Sequence, residues 1–302
     1  MVSEPIFAHE ARGDKIFLFV VYCVLTLMTL SVLYPFLWVI SASVSDPFMI
    51  RQGKLWLWPV GFQLKGYNLV FTDVNIMTGY RNSFIYMVAG TSINIFMTFL
   101  AAYPLSCRDF AGRNIFALLF TFTMWFSGGI IPTYIIMRQL GITNTVWAIL
   151  LPPAISAWNL IIVRTFFQTS VPEELREAAK IDGCTNMGYF FRILIKLSGP
   201  ILAVMTVFYG VARWNDFFLA LIYVNDRKLQ PLQIFLREIL IVNQMIASQQ
   251  DIATDSTLTE MLLAAESVKY AAIFAASVPV LCIYPFVQKH ILKGIMIGAV
   301  KG

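Results

Sequence analysis

Residues 171–183 read Val171-Pro172-Glu173-Glu174-Leu175-Arg176-Glu177-Ala178-Ala179-Lys180-Ile181-Asp182-Gly183, a polar interruption between long apolar stretches. The composition of this segment predicts a short helix lying in water. Pro172 suits the first helical turn, where its missing N–H costs little. Glu173, Glu174 and Glu177 fall near the positive N-terminal end of the helix, where the macrodipole favours them. Ala178 and Ala179 leave a shallow surface that another protein can approach. Gly183 then ends the helix or turns the chain, because glycine tolerates left-handed dihedrals.

What surrounds this segment is built for lipid. Of 302 residues, 58% are hydrophobic and 13% charged, with a mean hydropathy of +0.72; soluble domains carry about twice that charged fraction. A membrane-spanning helix needs about 20 mostly apolar residues, and the stretches near 16–40, 82–106, 114–136, 145–168, 199–223 and 268–292 qualify. The first is too long for a signal-peptide core and is read as a retained span. The chain divides into a cytoplasmic tail over 1–15, a transmembrane domain over 16–292 with a cytoplasmic loop near 170–197, and a cytoplasmic tail over 293–302. Lys and Arg split almost evenly between the two sides, so charge counting orients the chain only weakly, with the N-terminus inside.

The same inventory excludes several chemistries. Cys23, Cys107, Cys184 and Cys282 show no paired spacing, and His9 and His290 stand alone at opposite ends, so neither disulfides nor a metal site is expected. No Gly-x-x-x-x-Gly-Lys-Ser/Thr string occurs, so the chain binds no ATP in the P-loop manner and its energy source is a partner. No nucleic-acid partner is expected.

Along the chain, residues 41–81 form a first outer loop with Trp56 and Trp58, read either as interface anchors or as lining a ligand site. Asp109 to Arg113 makes a tight inner turn, and Ser127-Gly128-Gly129-Ile130-Ile131-Pro132 breaks the third apolar region. Arg213, Trp214, Asn215 and Asp216 lie in the fifth. Arg213 and Asp216 are spaced to pair on one helical face, as an internal polar clamp or as part of a translocation path. A second outer loop over 224–267 carries Leu229-Gln230-Pro231-Leu232-Gln233 and a polar run from Asn243 to Glu266. That run is read as a partner-binding loop or as an amphipathic helix covering the bundle.

With its continuation Tyr189-Phe190-Phe191-Arg192-Ile193-Leu194 and Ser198-Gly199-Pro200, the opening segment resembles the EAA loop of ABC-importer permeases. The usual proline after the isoleucine is missing; Lys196 stands near its place, and Gly199-Pro200 is the candidate break. Trp214-Asn215-Asp216, the Leu229-to-Gln233 stretch and the tail Lys293-Gly294-Ile295-Met296-Ile297-Gly298 are similar to the carbohydrate-importer class, notably the second permease of the maltose system and its oligosaccharide and polysaccharide branch.

The resemblance implies an all-α integral membrane protein of about six transmembrane helices with the type I ABC importer permease fold. It implies a homologous second permease, two ATPase subunits that carry ATP and Mg, and an extracytoplasmic solute-binding protein. On it, Glu173, Glu174, Glu177, Ala178, Ala179, Asp182 and Gly183 form the ATPase-coupling helix, and Asn243, Gln244, Gln249 and Gln250 belong to a binding-protein contact loop. It places the chain in the bacterial inner membrane with both termini cytoplasmic, importing a carbohydrate; an acidic one such as an alginate oligosaccharide is compatible, though few residues select it. An importer of amino acids, peptides or polyamines is the alternative. An ion-coupled secondary transporter would need intramembrane ion sites and often repeats, and a membrane scaffold would need no coupling loop.

Overall fold

The structure, a computed structural model, describes residues 12–248 and 262–282, and no strand occurs among them. Two compact units emerge, Met1–Val70 with Ile239–Ala275, and Phe71–Glu238 with Ala276–Gly302.

In the first unit α1 (Arg12–Ser43) runs 32 residues, about 48 Å at 1.5 Å per residue. None of its most apolar window is buried in the chain, so its side chains need lipid or another subunit to cover them. The end of this helix turns polar. Ser41 Oγ donates to Leu57 O at 2.5 Å, Val60 N donates to Ser45 Oγ at 3.1 Å, and Tyr67 OH donates to Ser43 Oγ at 2.7 Å. These three buried hydroxyls tie the following segment, with α2 (Pro47–Arg51) and the start of α3 (Lys65–Thr72), back onto α1. Trp56 and Trp58 remain 81% and 80% exposed, free of the packed core.

The axis of the second unit is α4 (Val74–Ser106). It begins at Val74 rather than near 82 because Asp73 Oδ1 accepts from Asn75 N at 2.7 Å and Ile76 N at 3.3 Å, capping free amides. After the turn at Asp109–Arg113 come α5 (Arg113–Trp125) and α6 (Ile130–Gln139), bent by 115° across a break at Gly129, whose φ is +87°. The next apolar stretch is not one helix. It consists of α7 (Trp147–Leu150), a non-helical step through Pro152 and Pro153, and α8 (Ala157–Ser170), whose start is capped by Ser156. Proline has no N–H to donate and disfavours helix in the residue before it, so a Pro-Pro pair stops α7.

Beyond α8 lie α9 (Glu173–Ile181), α10 (Asn186–Tyr189), a π turn at Phe190–Leu194 and α11 (Ile195–Leu197). The chain then bends by 82° into α12 (Gly199–Asn215), followed by α13 (Phe218–Tyr223), α14 (Leu232–Ser248) and α15 (Leu262–Cys282). The helices α8 and α12 pack against α4, enclosing Phe99, Leu160, Val163, Phe190, Met205 and Tyr209.

Among the described residues, three helices are singly long and apolar enough to cross a membrane, and five spans result if each bent pair counts as one. The expected span at 145–168 is present as a broken one, α7 and α8, whose proline break hydropathy alone hides. In the second outer segment α14 makes 232–248 helical, so the polar run from Asn243 begins inside a helix. Gln249, Gln250, His9, His290 and the C-terminal tail lie outside the described residues.

Candidate functional site

Helix α9 is amphipathic, and its two faces have different jobs. Ala179 is buried among Tyr189, Phe190 and Leu194, so only Ala178 of the alanine pair offers the shallow exposed surface expected of both. Glu173 also faces the chain: its carboxylate pairs with Arg108 Nε at 3.1 Å and Arg176 Nη2 at 3.0 Å. Arg176 Nη1 in turn donates to Asp109 Oδ1 at 2.7 Å. That bond holds the Asp109 carboxyl below its ordinary range. Partial burial weakens the Arg176 charge, but bonds to Asp109 and Glu173 outweigh it and raise its pKa. Burial pushes the nearby Cys107 thiol up. A cleft of about 630 Å³ opens beside this network, lined by Tyr103, Arg108, Arg113, Glu173, Arg176 and Tyr189 among others.

The opposite face carries Glu174, Glu177, Ala178 and Ile181, all exposed and spaced i, i+3, i+4, i+7. Ile181 is 86% exposed, a large apolar side chain in water on an otherwise acidic surface. Ile181 is not among the coupling residues the resemblance implies, although its helical spacing alone assigns it to this face. Pro172 is the N-cap rather than a first-turn residue, and α9 starts at Glu173. At the other end Asp182 is the C-cap. Gly183, at φ +75°, donates its N–H to Lys180 O at 3.1 Å, and Cys184 N donates to Ala179 O at 2.9 Å. These two bonds are a Schellman closure, which requires the left-handed residue glycine supplies. The later bend needs no proline near Lys196: Ser198 Oγ donates back to Leu194 O at 2.6 Å, and Pro200 sits in the first turn of α12.

Arg213 occupies the other polar centre, and the pairing expected from its spacing is absent. Helix α12 ends at Asn215; Asp216 is extended there and accepts from Phe218 N at 3.1 Å and Leu219 N at 3.4 Å, capping α13. The Arg213 guanidinium points elsewhere. It donates to Asn94 Oδ1 through Nε at 2.9 Å and Nη2 at 2.8 Å, to Ile149 O at 2.9 Å and to Leu150 O at 3.1 Å. A longer contact reaches Pro153 O at 3.4 Å. Asn94 Nδ2 donates to Pro153 O and, at 3.1 Å, to Ala154 O.

Arg213 and Asn94 thus satisfy the carbonyls freed where α7 stops. Non-helical backbone inside a membrane survives only with such partners, and a cation suits the negative C-terminal end of a helix. Asn94, only 1% exposed, was missed; a lone Asn inside an apolar span was its signal. Arg213 is thus held by Asn94 and backbone carbonyls, in place of the Asp216 its spacing suggested.

Trp214 Nε1 donates to Ala276 O at 3.0 Å, and Asn215 Nδ2 donates to Val211 O within α12. The Leu229-to-Gln233 stretch is held to α4. Asn82 Nδ2 donates to Lys228 O at 2.8 Å and Gln230 O at 2.9 Å, Tyr86 OH donates to Leu229 O at 2.7 Å, and Leu232 N donates to Ser83 Oγ at 2.9 Å. Asn243 and Gln244 lie on α14, with Gln244 exposed.

Broken membrane helices around a buried polar clamp, with an amphipathic helix set between two of them, define a membrane subunit of a transport machine. Residues 76–296 match the family of inner membrane components of binding-protein-dependent transport systems, and the chain belongs to that family. It is 42% identical to Protein LplC of Bacillus subtilis (strain 168) over 268 residues, covering 89% of each chain. It is 39% identical over 290 residues to the polygalacturonan/rhamnogalacturonan transport system permease protein YtcP of the same strain, covering 96% of this chain and 99% of YtcP. A solved bacterial ABC transporter involved in the import of the acidic polysaccharide alginate contains a chain that superposes with TM-score 0.82. It is 31% identical, over 93% of this chain and 98% of that one. Membership makes the chain a transport subunit of the inner membrane rather than an enzyme. It also gives it ATPase and solute-binding-protein partners.

Proposed function

We propose that this chain is one of two homologous permease subunits of an ABC importer for an oligosaccharide or polysaccharide fragment, and that α9 is its docking helix for an ATPase. The observation that carries this reading is the exposed face Glu174, Glu177, Ala178 and Ile181, presented on a helix whose other face is fastened by ion pairs and Ala179. Three acidic or small positions around one exposed isoleucine suit a basic-rimmed protein cleft with an apolar floor. Electrostatics there sets register, and the buried isoleucine supplies affinity. ATP and Mg sit on the ATPase subunits. Both termini face the cytoplasm, and the segment between α14 and α15 meets the binding protein on the outer side.

Polygalacturonan and alginate, named for two relatives, are both uronate polymers, which supports an acidic saccharide as substrate. Transport is tested with the permease pair, ATPases and binding protein reconstituted in liposomes, using labelled oligogalacturonides, alginate oligosaccharides, maltose and an amino-acid mixture. Saturable uptake of an acidic oligosaccharide, absent in Glu177→Lys, is expected. Uptake of amino acids alone would overturn the carbohydrate reading, and full uptake by Glu177→Lys would overturn the docking reading.

A further inference from the structure

The break between α7 and α8 is held at its carbonyls by Asn94 of α4 and at both ends by α12. On α12, Arg213 engages the carbonyls at the end of α7, at Ile149 and Leu150. One turn earlier, Tyr209 OH accepts from Ser156 N at 3.4 Å at the start of α8 and shares a 2.7 Å hydrogen bond with Thr98 of α4. Positions four apart lie on one helical face, so α12 grips both ends of the non-helical step. Close approach is built in. A Cβ on Gly90 would stand 2.9 Å from Arg213 Nε, so α4 must be bare there. Beside it, buried Thr91 Oγ1 has no hydrogen-bond partner, and a Cβ added at Gly210 would stand 3.8 Å from it. The α4–α12 seam is therefore smooth, with one polar group left over in this state.

The connectivity closes a loop. Helix α8 runs about 21 Å from the break to the residues before α9, and the chain after α9 returns through α10 and α11 to α12. A displacement of α9 thus reaches the break by two routes, along α8 and through the helix that grips it. We propose that Arg213, with Asn94 and Tyr209, is a positioning latch on the broken fourth span. It makes the break yield only when α9 is moved, and so ties binding-protein stimulation to ATP hydrolysis. This rests on the coupling reading of α9. A guanidinium suits the task because its planar fork reaches Asn94 and three carbonyls at once; a lysine keeps the charge but not the fork.

The test uses the whole reconstituted complex, comparing wild type, Arg213→Lys, Tyr209→Phe and Glu177→Lys for assembled yield and for ATP hydrolysis with and without loaded binding protein. The latch predicts that assembled Arg213→Lys keeps basal hydrolysis within about twofold while its stimulation falls about tenfold. Tyr209→Phe should lose stimulation a few-fold. A merely structural role would lower yield and leave the stimulated-to-basal ratio per assembled complex unchanged, which overturns the proposal.

Should Arg213→Lys fail to assemble, hydrogen exchange of the Leu151, Ala154, Ile155 and Ser156 amides in the wild-type complex decides. An exchange change of about tenfold between resting and ATP-bound states supports the latch, and identical exchange in both overturns it. Glu177→Lys separates the two readings. If it keeps full stimulation, the docking role of α9 fails. If it loses stimulation while Arg213→Lys and Tyr209→Phe keep theirs, only the latch fails.

Discussion

Arg176 and Arg213 carry the same guanidinium into opposite surroundings. Arg176 lies beside an aqueous cleft and meets two carboxylates, Asp109 and Glu173. Arg213 is 6% exposed and meets a neutral amide and backbone carbonyls. In water, ion pairs are cheap to make and worth little, typically up to about 1 kcal/mol. Inside the bundle each unmet carbonyl costs about 1–3 kcal/mol, so one arginine serving several of them is hard to replace. One region is fastened lightly enough to move with a partner, while the other is fastened where the backbone has no alternative.

The largest effect is expected at Arg213. Arg213→Ala strands the end of α7 and Asn94, and should destabilise the assembled complex by about 2–4 kcal/mol, read as a lowered unfolding temperature and poor yield. Adding Asp216→Ala should lower stability further, by about 1 kcal/mol, because Asp216 is the cap of α13. Rescue by the double variant would mean that the two residues pair after all, and would break the contrast.

Next comes Gly183→Val. The valine must adopt φ near +75°, which costs a β-branched residue at least about 1–2 kcal/mol. Nothing lies within 4 Å of a Cβ there, so the penalty is conformational and not a clash. The end of α9 should fray and stimulated ATP hydrolysis should fall steeply, with the membrane core unaltered. A slightly lowered helicity and unfolding temperature, together with a disproportionate loss of stimulation, is the expected pair of readings. Wild-type stimulation would show that the Schellman closure is dispensable.

The two regions also differ in how far the sequence discloses them. Capping chemistry is local, so the acidic start, Gly183 and the helical span of α9 are readable within a dozen residues. That Ala179 and Glu173 face inward is not readable there, because it depends on Tyr189, Phe190 and the Arg108–Asp109 turn from other parts of the chain. At Arg213 the sequence discloses an ionisable group at membrane depth but suggests the nearest carboxylate as its partner. Its actual partner, Asn94, lies 119 residues away, beyond any local rule. The break at Pro152-Pro153 escaped for a related reason: hydropathy averaged over a span-length window stays high whether or not the backbone is continuous. Polar content left two readings open over 243–248, and α14 continues there as helix.

The smallest expected effect sharpens the comparison through pH. Asp109 has its folded pKa depressed by the hydrogen bond from Arg176. The stabilisation from that bond is fully present above the unfolded carboxyl pKa of about 3.9 and is lost as pH falls through the lower folded value. The window therefore lies below about pH 4. The Asp109 side chain is 56% exposed, so solvent screening keeps the contribution under about 1 kcal/mol, and salt should shrink it further. The carbonyls that face Arg213 do not titrate, so that clamp supplies no matching acid loss. The measurement is the difference in unfolding temperature between wild type and Asp109→Asn from pH 5 to pH 3, at low and high salt. The gap should narrow as acid removes from wild type what the substitution has already removed. A gap that stays constant across that range would mean that the Arg176–Asp109 bond does not fasten α9, leaving the Arg108–Glu173 pair as its ion-pair anchor.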